Sequence, residues 1–128
     1  MRLYELFENI ESQTAKVSWK GNNGLAYNES VSAGLRFIND DDDIALEYPD
    51  REGCVMITGI SVQHNGVHNA GRATDVIATI TSWADIHKIT LVLVPSSSGR
   101  LDNKSLISWY NRNGFISQPD GAMIRYPV

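Results

Sequence analysis

Cys54-Val55-Met56-Ile57-Thr58-Gly59-Ile60-Ser61-Val62, then a polar stretch from Gln63 to Ala70, then Arg72-Ala73-Thr74-Asp75-Val76-Ile77, decide the fold. The first nine residues are rich in Val, Ile and Met, as a central strand is. From Arg72 onward Ala73, Val76, Ile77, Ile80, Ala84 and Ile86 approximate one helical face. Ile89-Thr90-Leu91-Val92-Leu93-Val94 follows as a β-branched strand ended by Pro95. Strand, helix and strand in that order make a right-handed crossover between parallel strands.

Working downstream, Ser96-Ser97-Ser98-Gly99-Arg100 is a loop, and Asp102 or Asn103 can cap a second helix carrying Leu106, Ile107, Trp109 and Tyr110. Asn113-Gly114 stops it, and a last strand runs through Met123-Ile124-Arg125-Tyr126. Upstream, residues 31–38 alternate with Ala33, Leu35 and Phe37 on one face, and residues 43–48 place Ile44, Leu46 and Tyr48 on one face. Pro49-Asp50 and Glu52-Gly53 break the chain before residue 54. These runs with 54–62 predict an antiparallel meander. Residues 14–19 are strand-like, Gly21-Asn22-Asn23-Gly24 is a turn signal, and Leu3, Leu6, Phe7 and Ile10 fit a short amphipathic helix or a first strand. The expectation is a single α/β (α+β) domain over 1–128: a mixed, mostly antiparallel twisted sheet with a βαβ half.

The chain has 128 residues, 42% hydrophobic and 20% charged, with a net charge of −4. That suits one globular core. No basic stripe suggests nucleic acid, and no apolar run approaches the roughly 20 residues of a membrane span. Cys54 is the only cysteine, so no internal disulfide is possible, and a reducing, cytoplasmic setting is expected. The acidic run Asp40 to Asp43 reads as a solvated turn between two strands, or as a feature that draws in a cationic amine.

A Gly-containing turn from a strand into a helix exposes backbone N–H groups at the positive end of the helix dipole, a ready phosphate site. Gly71 and Ala73 are small enough for a pyrophosphate to approach the backbone. The bland alternative is a tight turn closed against the sheet. No Gly-Lys-Ser/Thr follows, and the three spaced glycines of a dinucleotide fingerprint are missing. No zinc-ligand spacing is present, so no metal is expected.

His68-Asn69-Ala70-Gly71-Arg72-Ala73-Thr74-Asp75-Val76-Ile77 resembles the acetyl-CoA loop of the GNAT N-acetyltransferases, Gln/Arg-x-x-Gly-x-Gly/Ala after a strand and before a helix. His68 stands at the Gln/Arg position, Gly71 at the Gly, Ala73 at the Gly/Ala, and Arg72 fills a usually apolar place. Asn103, Leu106, Tyr110 and Gly114-Phe115 match the family's second signature in spacing. The resemblance covers residues 54–127. The chain's shortness and N-terminal style resemble proteins of tailed bacteriophages, which would make it a small, phage-type member.

The resemblance implies an acetyl-CoA-dependent N-acetyltransferase that acts by direct transfer to an amine, either a small molecule or a protein lysine or N-terminus. Its cofactor-binding residues would be Ile60, Ser61, Val62, His68, Asn69, Ala70, Gly71, Arg72, Ala73, Thr74 and Asn103. Tyr110 would be catalytic, donating a proton or hydrogen bond to the departing thiolate. Tyr110 also reads as a core aromatic, and Trp109 and Phe115 read as core. Thr58, Ser61, Glu47 and His64 are the candidates for a base; none is assigned, and water can serve. His87 ends the first helix and meets its C-terminal dipole. Many relatives dimerise through strands at the end of the sheet, so a homodimer is an option. The alternatives are a GNAT-like module without catalysis that binds a protein partner or CoA, and a small α/β protein with no CoA site.

Overall fold

The order of the strands, more than any single helix, positions the site. In the computed structural model the described residues are 15–28, 31–62, 70–95 and 103–128. Seven strands, β1 (Lys16–Lys20), β2 (Asn23–Tyr27), β3 (Val31–Phe37), β4 (Val55–Val62), β5 (Leu91–Leu93), β6 (Ile116–Ser117) and β7 (Met123–Arg125), form one sheet in the order β1-β2-β3-β4-β5-β7-β6. The helices are α1 (Asp43–Glu47), α2 (Ala70–His87) and α3 (Asn103–Arg112), with a 3-10 turn at Pro49–Arg51. Only the β4–β5 pair is parallel, joined through α2; every other pair is antiparallel. This is the mixed, mostly antiparallel α+β sheet with a βαβ half that the sequence predicts, and it is consistent with a GNAT-like fold. The helical pattern over residues 3–10 lies outside the described residues.

Several elements depart from expectation. Residues 43–48 are not a strand: Asp42 caps a helix there, its side chain accepting the Ile44 N–H at 3.0 Å. Ile44 and Ala45 pack inward while Leu46 stays 70% exposed, so the apparent alternation was one helical turn. The same carboxylate takes two bonds from Arg36, at 2.8 and 2.9 Å; Asp40 and Asp41 form an exposed turn between β3 and β4, as expected, while Asp42 and Asp43 start the helix. The Arg36 guanidinium and, first of all, the Ile44 N–H hold the Asp42 carboxyl below its usual range. The meander is therefore β1 to β4, with β3 pairing β4 directly.

Secondly, β2 occupies residues the turn signal claimed. The hairpin loop is only Gly21-Asn22, with Lys20 facing Asn23 and Gly21 at φ +62°. A positive φ at the first loop position alone is the type II′ pattern. Gly24 belongs to the strand because the Trp19 ring lies over it: a Cβ there would meet ring carbons at 2.8 Å. Thirdly, β6 is a two-residue strand with no sequence signal, and α2 begins at Ala70, two residues earlier than expected.

Alternate residues of each strand point to opposite faces, so two clusters form. Val31, Ala33, Leu35, Val55, Ile57, Leu91, Leu93 and Met123 meet Val76, Ile77, Ile80 and Ala84 of α2, together with Tyr110 and Phe115. Ile86, expected on that face, is 37% exposed. On the other face Cys54, Val92 and Ile124 meet Ile38, Ala45 and Ala122. Each fully buried Ile, Leu or Val contributes about 1.5–3 kcal/mol. Burial, chiefly, and the Asp50 charge push the Cys54 thiol up, so it stays protonated as a small core residue.

The last strand is tied to the crossover helix. Arg125, 9% exposed, donates to both Asp85 carboxylate oxygens at 2.8 and 3.0 Å, and Asp85 also accepts the Val128 N–H at 3.0 Å. Arg51, equally buried, donates to Asp120 and stacks over the Tyr48 ring at 4.1 Å. No helix among the described residues is long and apolar enough to cross a membrane.

Candidate functional site

β4 and β5 pair only at Val55–Leu91 and Met56–Val92. β4 then runs six residues further, to Val62, with β3 on one side and no strand on the other among the described residues. The sheet therefore opens between the two parallel strands, toward their carboxyl ends. Where a parallel sheet parts in this way, ligands lie outside the carboxyl ends of the strands.

A bulge sits at the start of the opening. Leu35 pairs with Ile57 and Gly34 with Gly59, which leaves Thr58 as an extra residue on β4. The extra residue bends the strand and reverses which residues face α2: Ile57 is buried before it, and Ile60 packs on the same cluster after it. Thr58, Gly59 and Ser61 are exposed on the opposite face. Gly34 is required beside the bulge, since a Cβ there would meet Thr58 Oγ1 at 2.4 Å. Gly59 inside an apolar run was the available signal for this bulge.

The two sequence signatures converge on this end of the sheet. Ile60, Ser61 and Val62 close β4; His68 and Asn69 lie outside the described residues; Ala70, Gly71, Arg72 and Ala73 form the first turn of α2, followed by Thr74. The first four N–H groups of a helix have no intrahelical acceptor. Asn103 opens α3 and is exposed, while Tyr110, two turns later, is 7% exposed. Trp109 Nε1 donates to Thr74 Oγ1 at 3.4 Å, which brings α3 against the start of α2. Trp109 is half-buried on the core, and sequence reasoning missed this polar contact because an indole on a helix reads simply as packing.

Tyr110 has Trp109 at 4.9 Å and Phe115 at 5.6 Å, the latter edge-on. Burial raises its phenol above the ordinary value, so it stays protonated at neutral pH. Gly114, at φ +93°, ends α3 and lets the chain turn so that the Phe115 N–H returns to the Tyr110 carbonyl at 3.1 Å.

Among the described residues no imidazole or carboxylate lines the exposed face of β4 beside Thr58 and Ser61. Glu47 is exposed on α1, and α1 follows the end of β3 that pairs with the start of β4. The run Asp40 to Asp43 lies at that same end, away from the opening. His64 lies outside the described residues. His87 is the last residue of α2, packed on Trp83 at 5.1 Å. At 1.5 Å per residue it stands about 25 Å from the helix start, too far to share a site with Ala70.

No protein-family model matches the chain, and no curated protein matches it. Among solved structures, the anti-CRISPR protein AcrVA5 aligns with 87% of this chain and 97% of its own, at 13% identity and a TM-score of 0.47.

Proposed function

We propose that the chain is an acetyl-CoA-dependent N-acetyltransferase of the GNAT kind, acting on a small amine or a protein lysine or N-terminus. The observation that carries the reading is the parting of β4 from β5 after Met56–Val92, with the first turn of α2 at its carboxyl end. The unpaired edge of β4 from Ile57 to Val62 offers backbone donors and acceptors to the amides of a pantetheine arm. The small residues Ala70, Gly71 and Ala73 suit an anion at the helix start.

In this reading the amine lone pair attacks the thioester carbonyl carbon, forming the N–C bond. The tetrahedral intermediate collapses as the C–S bond breaks with its electrons on sulfur. Tyr110 gives that sulfur its proton and recovers one from the proton that the amine nitrogen loses to water. The products are the N-acetyl amine and free CoA thiol. Fixing the two reactants side by side supplies much of the rate.

The lack of a carboxylate or imidazole beside Thr58 and Ser61 among the described residues favours a second reading, a CoA-binding module without turnover. Thermal melts with acetyl-CoA, followed by an amine screen, test both. At about 100 times its dissociation constant a ligand stabilises by about 2.7 kcal/mol, several degrees for a domain of this size. A shift abolished by Gly71→Leu with Ala73→Leu, together with turnover, is the expected result. A shift without turnover on any amine selects the module. No shift at millimolar acetyl-CoA overturns both.

A further inference from the structure

We propose that Trp109 is a positioning residue whose bond to Thr74 sets the distance between the proton donor Tyr110 and the first turn of α2; this rests on the acetyltransferase reading. The two helices reach the opening from separate parts of the chain, and each brings one end of the chemistry. α2 begins at Ala70, where an anion would be held, and α3 carries Tyr110. A donor molecule that spans from one to the other reacts only if the two are held at a fixed separation.

Between them runs a polar bridge, Trp109 Nε1 to Thr74 Oγ1 at 3.4 Å. Trp109 is restrained elsewhere as well: its carbonyl accepts Asn113 Nδ2 at 2.8 Å, and its ring lies 4.9 Å from that of Tyr110. The indole thus packs against the phenol, and its position bounds the space the phenol occupies. The bridge is solvent-exposed, so it adds little to the hold of the core. It is also longer than the usual 2.7–3.2 Å of an N–H···O bond.

The test uses the full chain and compares Trp109→Phe, Thr74→Val, the double variant and Thr74→Ser. Turnover is measured with the best amine of the screen, and acetyl-CoA affinity by titration. The expected result is a fall in kcat of about three- to tenfold in each single variant, the scale of one neutral hydrogen bond. The acetyl-CoA dissociation constant stays within about twofold. The double variant is no slower than Thr74→Val alone, since the bond that Trp109→Phe removes is already gone there, and Thr74→Ser recovers wild-type kcat. Unchanged kcat, losses that multiply in the double variant, or failure of serine to rescue overturns the positioning role while leaving the acetyltransferase reading intact. A wild-type chain that binds no acetyl-CoA removes both.

Discussion

Replacing Tyr110 by Phe separates the core role of this residue from its chemical one. The ring is 7% exposed and meets Phe115 edge-on at 5.6 Å, and Phe keeps that packing. The hydroxyl bonds to no side chain or backbone group among the described residues, so its removal strands no partner. Stability should change by no more than about 0.5 kcal/mol, whereas Tyr110→Ala should cost about 3–5 kcal/mol by opening a cavity. Catalysis should respond in the opposite proportion. General-acid help is worth about 10²- to 10⁴-fold. A departing thiol with a pKa near 8.5 needs less protonation than an alkoxide, which places this case at the low end. We expect kcat to fall about 100-fold, or about 2.7 kcal/mol in the barrier. The phenol is raised above its ordinary value by burial, so stability linked to it is fully present below about pH 10 and is lost as pH rises through the folded value. Wild type should therefore weaken above pH 10 more than Tyr110→Phe does. The assay is kcat and a urea melt on the same preparations, with melts repeated up to pH 11. A variant that keeps wild-type kcat on a productive amine, or that unfolds as readily as Tyr110→Ala, refutes the assignment.

Two further predictions concern the tie between the last strand and α2. Arg125→Met should destabilise by about 1.5–3 kcal/mol at pH 7, the range for bonds to a charged group, with water offsetting part of it at the 28% exposed Asp85. Hydrogen bonding from Arg125, first of all, depresses the Asp85 carboxyl, so this contribution is present above about pH 4 and disappears as pH falls through the folded value. Urea melts at pH 7 and pH 3 should show the wild-type and variant curves converging in acid, and an equal gap at both would contradict the pairing. Gly114→Ala should cost about 1–2 kcal/mol, because the residue sits at φ +93° and its Cβ would meet Arg125 Nε at 3.1 Å. A melting midpoint equal to wild type would show that α3 ends otherwise.

The second half of the chain was legible in the sequence because its patterns are long. Val76, Ile77, Ile80 and Ala84 recur through an 18-residue helix, and Leu91-Val92-Leu93 is buried on every side. Residues 43–48 were misread because five helical residues are too few for a 3.6 period to declare itself against alternation. The cap Asp42, with acidic Asp43 behind it and Pro49 after, was the better guide. β2 was hidden by Gly24, whose reason for being glycine is the Trp19 ring across the strand pair, a contact visible only once the strands are paired. At the site, spacing located Thr74 and Tyr110 on their helices, but not the Trp109 bridge. The extra residue at Thr58 was equally unseen, because a bulge is a property of two strands together.

The parallel seam of two residue pairs has a mechanical consequence. On one side lie four antiparallel strands and on the other three, and little backbone bonding joins them. On one face the join is spanned by α2, whose Val76, Ile77, Ile80 and Ala84 pack in one cluster with Ala33 and Leu35 from one plate and Leu93 and Met123 from the other; on the other face Ile38, Ala45 and Cys54 pack with Val92, Ala122 and Ile124. The helix acts as a splint across a hinge. Loosening it would leave the opposite face, with the Arg51–Asp120 pair, to bear the join, so the plates would part first on the α2 side, at the mouth between β4 and β5.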